Sequence, residues 1–80
     1  MNSKIPGKRV VGLKQTLRAV KSGTARTVYV AENAEEKIKK QIVDTCKEKN
    51  VEIVYVQSME KLGDLCGISV GAATACIIGD

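Results

Sequence analysis

The sequence predicts an α/β fold, a three-layer α-β-α sandwich around a small mixed sheet. Three observations carry that prediction. Segments with apolar residues one helical turn apart alternate with short β-branched runs. Glycine, serine or asparagine stands at nearly every change of period. The chain has 80 residues, 44% apolar and 28% charged, which suits one small domain rather than a disordered segment. A chain of this length buries only about 60–65% of the surface it exposes when unfolded, so its stability margin is thin. One domain over residues 1–80 is expected, with residues 1–9 as a basic lead-in.

The elements follow in order. From Gly12 the pattern is helical: Leu13, Leu17 and Val20 recur at i, i+4 and i+7, with Thr16 and Ala19 beside them. Lys14, Arg18 and Lys21 share that spacing on another face. Ser22-Gly23 ends this helix, because glycine takes positive φ freely. Residues 27–31 form a short β-branched strand. Asn33 opens the second helix, and Glu36 three positions on completes a capping-box-like pair. Ile38, Ile42 and Cys46 make its buried stripe, while Glu35→Lys39 and Glu36→Lys40 are favourably oriented exposed pairs. Lys47 and Lys49 suit its negative end, and Asn50 stops it.

Residues 51–56 make the second strand, as dense in β-branched residues as a central parallel strand. Ser58 caps a third helix whose Met59, Leu62, Leu65 and Cys66 face inward, and Gly67 closes it. After a loop over residues 67–71, residues 72–78 make the last strand. Right-handed crossovers put the second helix on one sheet face and the first and third helices on the other.

Several chemistries are excluded. There is no histidine, which removes Ser–His and Cys–His nucleophile activation and histidine metal sites. Cys46, Cys66 and Cys76 form no C-x-x-C pair and sit among apolar neighbours, so they read as buried hydrophobes. No apolar run approaches the roughly 20 residues that cross a bilayer, and no apolar run follows the basic N-terminus as in a secretory signal. A cytoplasmic protein with no cofactor is expected.

Charge is split along the chain. Residues 1–31 carry seven cations (Lys4, Lys8, Arg9, Lys14, Arg18, Lys21 and Arg26) and no acid, whereas residues 32–80 carry six lysines against nine acids. Such a distribution points to one surface for an anionic partner. Nucleic acid is favoured over an anionic membrane, because the segment has no Trp or Phe anchor.

Two stretches stand out as candidate sites. In Gly12-Leu13-Lys14-Gln15-Thr16-Leu17-Arg18 a lysine stands in the first helical turn, where the macrodipole prefers an acid by about 0.3–1 kcal/mol. A phosphate or base edge would resolve that conflict, since free helix N–H groups and the lysine would meet one electronegative target. Gln15 both donates and accepts, and Arg18 offers a fork for guanine or phosphate. In the second stretch, Ile68 and Val70 lie in a loop bounded by Gly67 and Gly71. They either plug the core or offer an apolar surface to an unstacked base. The two tyrosines, Tyr29 and Tyr55, sit in apolar strands and read as core, too few for a stacking platform.

The first motif, with Leu62-Gly63-Asp64-Leu65-Cys66-Gly67-Ile68-Ser69-Val70-Gly71-Ala72-Ala73, resembles the kink-turn RNA-binding ribosomal protein family. That family comprises the archaeal large-subunit ribosomal protein seven-A-e and its relatives, and Gly-x-Lys-Gln-Thr resembles its short bacterial, ribosome-associated branch. The resemblance implies an α-β-α sandwich that binds a kink-turn with tandem sheared G·A pairs; a non-enzymatic, monomeric, ribosome-associated protein is expected. Carried over by position, it implies that Gly12 allows close backbone approach. Lys14 and Gln15 then meet the G·A pairs and Arg18 a guanine or the backbone, while Ile68, Ser69 and Val70 form the loop contact with extruded bases; Thr16 and Lys21 complete the expected RNA-binding set. Archaeal members carry Asn-Glu where this chain has Lys14-Gln15, so their base contacts do not transfer. Two alternatives remain: a small thiol-dependent enzyme using Cys66 or Cys46, and a protein–protein module using the loop over residues 67–71.

Overall fold

The computed structural model describes residues 8–79. Its elements are β1 (Arg9–Val11), α1 (Leu13–Ser22), β2 (Ala25–Ala31), α2 (Glu36–Lys49), β3 (Glu52–Val56), α3 (Met59–Cys66) and β4 (Thr74–Ile78). Residues 1–7 of the expected lead-in, including Lys4, lie outside the described residues, and Arg9 belongs to a strand rather than to a lead-in. The sheet order is β1-β4-β2-β3. Strands β2 and β3 are parallel, and β4 runs antiparallel to both β1 and β2. Thus β1, β2 and β3 point one way and β4 the other, giving the expected mixed sheet.

Side chains alternate across this sheet with period two. Val28 and Val30 of β2, Cys76 of β4 and Ile53 of β3 pack on one side with Ala19 and Val20 of α1 and Ile42 and Cys46 of α2. Ala31, Ala75 and Val56 pack on the other side with Leu62 and Cys66 of α3. The three layers are therefore α1 with α2, the sheet, and α3 alone. The expected sharing of a face by α1 and α3 is overturned, and β1 explains why. With β1 as a strand, β1-α1-β2 and β2-α2-β3 are both crossovers between parallel strands that advance in the same direction along the sheet. Crossovers of one hand then put both helices on one face.

Local corrections have equally physical causes. Strand β3 is an edge strand and not a central one, so Val54 and Tyr55 are 36% and 53% exposed. Tyr55 is thus not core, while Tyr29 is half-buried against the α3 side. Asn33 does not cap α2, whose N-cap is Glu35 without a side-chain bond. Its Oδ1 instead accepts from the Met59 N–H at 2.8 Å, at the start of α3. On α2 the ion pairs are Glu36–Lys39 at 2.9 Å and Asp44–Lys40 at 3.1 Å, in place of the two expected pairs. Ser58 caps α3 as expected, accepting from the Lys61 N–H at 3.1 Å. The helices end where expected, at Gly23, Asn50 and Gly67.

Candidate nucleic-acid interface

Because β1, β2 and β3 run in parallel, their carboxyl ends share one end of the sheet with the amino end of β4. Open α/β sheets bind ligands outside these carboxyl ends. Here the end is built from the β1–α1 turn at Gly12, the β2–α2 turn, the β3–α3 turn and the loop that enters β4. Backbone bonds tie the parts together. The Gly12 N–H donates to the Thr74 carbonyl at 2.9 Å, and the Ala31 N–H donates to the Ala73 carbonyl at 2.9 Å. The two stretches singled out in the sequence, residues 12–18 and 67–71, are thereby brought to one end of the sheet.

Gly12 is the N-cap of α1 at φ 110° and ψ 159°, a conformation open only to glycine at low cost. It offers no side-chain cap, and α1 has no acid in its first turn. The amides at this end are left for water or a ligand. Lys14, Gln15, Arg18 and Lys21 are all exposed on α1. Lys14, Arg18 and Lys21 line an open groove of about 560 Å³ with Leu17 and Ser22. The described ion pairs involve only lysines of α2, so the α1 cations remain available. Arg18 also lines a second groove with Gln15, Val10 and Thr24.

Thr16 departs from the expected footprint. It is fully buried, on the sheet side of α1. Its hydroxyl has no geometric hydrogen bond and faces the Cys76 thiol, where it works against the rise in that thiol's pKa. Thr16 therefore supports the helix and does not touch a ligand.

The loop splits the two sequence alternatives between its residues. Ile68 is half-buried against the cluster of Leu62, Cys66 and Ala72 and acts as a plug. Ser69 is exposed, and Val70 projects with 68% of its surface free. The backbone beneath them is held closely. A Cβ at Gly63 would lie 2.1 Å from the Val70 carbonyl oxygen, so only glycine lets the loop lie on α3 here. The Ala72 N–H then donates to the Met59 carbonyl at 3.0 Å. Gly63 is not among the residues that pattern or charge singles out. The available signal was a glycine inside a helix, where it costs about 1 kcal/mol relative to alanine. Arg9 was missed as well: its Nε donates to the Cys66 carbonyl at 3.0 Å.

Charge borders the site. Glu60 and Asp64 of α3 line a pocket of about 440 Å³ with Ser69, Val70 and Gly71. Acid on this side and uncompensated base on α1 direct phosphates toward α1.

No thiol nucleophile is present. Cys46, Cys66 and Cys76 are all buried and free. Burial raises the pKa of each: for Cys66 the Arg9 guanidinium pulls partly back, and Cys76 is pushed up to about 11 with Cys46 adding to the rise. Thiolates are the reactive form, and these sites disfavour it. The described residues hold no cluster of three metal-binding side chains.

The chain is similar to several known proteins. The model of the ribosomal protein L7Ae/L30e/S12e/Gadd45 family matches residues 1–80. An RNA-binding protein of Caldanaerobacter subterraneus subsp. tengcongensis is 51% identical over 81 residues, covering 100% of this chain and 99% of that one. RNA-binding protein YbxF of Geobacillus stearothermophilus is 47% identical over 72 residues, covering 90% of this chain and 88% of its own. Among solved structures, the Giardia lamblia 15.5kD RNA binding protein superposes with a TM-score of 0.83 at 29% identity. That match covers 90% of this chain and 61% of the other.

Proposed function

Since the chain belongs to the ribosomal protein L7Ae/L30e/S12e/Gadd45 family, as a bacterial RNA-binding member without enzymatic activity, we propose that it recognises and stabilises a kink-turn. A kink-turn is a sharply bent RNA with tandem sheared G·A pairs, and ribosomal RNA is its expected host. One copy of the protein serves one bend.

The observation that carries this reading is the pairing of two unlike surfaces at one end of the sheet. On one side stands an acid-free helix terminus without a side-chain cap, bearing exposed Lys14, Gln15 and Arg18. On the other stands an anchored loop with Val70 projecting. A straight duplex has no use for the loop, because its bases are stacked and its deep groove is closed to side chains. A bent RNA offers both the edges of sheared pairs and an unstacked base. Gly12 lets the backbone come close, and Lys14 and Gln15 reach the pair edges. Arg18 takes guanine or phosphate with its planar fork. Val70 and Ser69 cover the unstacked base, with Ile68 fixing the loop from below.

Energetically the protein acts by preference between two RNA states. Bending crowds phosphates, so cations on α1 lower the energy of the bent form more than that of the straight one. Moving an RNA from 1:99 to 99:1 in favour of the bend needs about 10⁴-fold tighter binding to that state. The test is a titration of a kink-turn RNA against the same RNA with its G·A pairs replaced by Watson–Crick pairs. A weakening of at least about thirtyfold is expected, from roughly 1–3 kcal/mol per misread pair. Equal affinity for the two would refute the proposal.

A further inference from the structure

Helix α3 ends beside the RNA-facing loop, and its last turn contains no basic residue. The end of a helix exposes carbonyls and carries negative partial charge, which a cation usually offsets locally. Here the Gly67 N–H donates to the Asp64 carbonyl and the Ile68 N–H to the Gly63 carbonyl. The Cys66 carbonyl, at the point where the loop departs, takes its donor from 57 residues away: the Nε of Arg9 at 3.0 Å. Arg9 is half-buried in β1, three residues before Gly12. It is therefore the side chain that joins the β1–α1 half of the site to the start of the loop half.

The supports that α3 itself gives the loop do something different. Val70 rests on Gly63, and Ala72 bonds to Met59, so both hold the loop to α3 itself. They would move with α3 if that helix shifted on the sheet. At the loop's exit, the Gly12 N–H to Thr74 carbonyl bond fixes the far end to the start of α1. The Arg9 bond ties the near end to β1, the strand that leads into α1.

We propose that Arg9 is a positioning residue for RNA recognition: by donating to the Cys66 carbonyl it sets the distance between the loop that bears Ser69 and Val70 and the α1 terminus that bears Lys14 and Gln15. This rests on the kink-turn reading above, in which one RNA must meet both surfaces at once. Arg9 then acts through the loop and makes no phosphate contact of its own.

The test uses the whole protein with Arg9→Met, which keeps length but removes the donor, and Arg9→Lys, which keeps a donor and the charge. Hydrogen exchange is measured on the free proteins, and binding to a kink-turn RNA is titrated at several salt concentrations. In Arg9→Met the amides of residues 67–72 exchange at least about tenfold faster while those of β2 and β4 keep their protection. Its RNA affinity falls about five- to tenfold, and the slope of log affinity against log salt stays at the wild-type value. Arg9→Lys recovers most of the loop protection and of the affinity. Unchanged loop exchange in Arg9→Met would overturn the assignment. So would exchange raised equally in β2 and β4, which marks a packing residue, or a salt slope reduced by about one, which marks a direct phosphate contact. The exchange measurement needs no RNA, so it judges Arg9 even if wild type fails to prefer a kink-turn, a result that would count against the functional reading instead.

Discussion

Replacing Gly63 by alanine tests whether the loop on α3 belongs to the RNA site. A Cβ there would stand 2.1 Å from the Val70 carbonyl oxygen, 3.0 Å from the Val70 carbonyl carbon and 3.2 Å from the Gly71 Cα. Ordinary contact begins near 3.4 Å, so the carbonyl must retreat by about 1.3 Å, and every atom in its way is backbone. The retreat strains the 3.0 Å bond from the Ala72 N–H to the Met59 carbonyl. Alanine in a helix interior gains about 1 kcal/mol over glycine, whereas overpacking costs about 1–3 kcal/mol. The net loss of stability is therefore small, roughly 0–2 kcal/mol. Binding suffers more clearly. Covering an exposed valine is worth up to about 1.5–3 kcal/mol, and a loop shifted by an ångström forfeits a good part of that. A loss of about 1–2 kcal/mol means a Kd five to thirty times weaker. Fluorescence anisotropy with a labelled kink-turn RNA reads the affinity, and a thermal melt reads the stability. Gly23→Ala is the control: at φ +83° with nothing within 4 Å, it carries backbone strain only, about 1–2 kcal/mol, and leaves affinity alone. If Gly63→Ala binds within twofold of wild type and melts higher, as an unhindered helix alanine would, the loop does not contact RNA as argued.

Three further outcomes are expected. Lys14→Ala weakens kink-turn binding by about 1–3 kcal/mol and narrows the preference for sheared G·A over Watson–Crick pairs, and it also raises the melting temperature of the free protein, because it removes a cation from the positive end of α1; an unaltered preference would deny Lys14 its contact with the pair edges. The native protein resists a thiol reagent at pH 8 and reacts at three thiols once unfolded; its stability is intact below pH 9 and declines as pH rises from 9 toward 11, since the unfolded chain ionises at the ordinary 9.0 while Cys76 in the fold holds its proton to about 11. Cys76→Ala should flatten that decline, and an identical pH profile would refute the cause. Asn33→Ala removes the acceptor for the Met59 N–H and lowers stability by about 1 kcal/mol, or about 4–8 °C in Tm; an unchanged melt would show that the bond contributes nothing.

How much of this could be read from residues alone depends on the range of the forces involved. The ends of the helices at Gly23, Asn50 and Gly67, the Ser58 cap, and the buried stripe of Ile42 and Cys46 follow from local rules and were legible. Strand β1 was not. Three residues in a basic stretch show no period, and they become a strand only because β4 pairs with them. Missing β1 also misplaced α1, since the face of a crossover helix depends on which strands it joins. Tyr55 looked buried because composition distinguishes a strand from a helix but not an edge from a centre. Asn33 looked like a cap for the helix after it, yet serves one that begins 26 residues later. At the site, exposed Lys14, Gln15 and Arg18 could be picked out because Lys14 opposes a local preference. Thr16 could not be separated from them by motif position; its burial follows from the helical period that sets Thr16 with Ala19 and Val20. Arg9 and Gly63 act through contacts that no spacing rule reveals.

Strand β4, the last of the four in chain order, occupies an interior lane of the sheet. Until residues 74–78 have emerged, β1 has no neighbour, Gly12 has no carbonyl to hold its turn, and the end of β2 lacks its partner at Ala73. A chain that has reached only α3 lacks the clasp that sets the α1 terminus and the loop over residues 67–71 side by side.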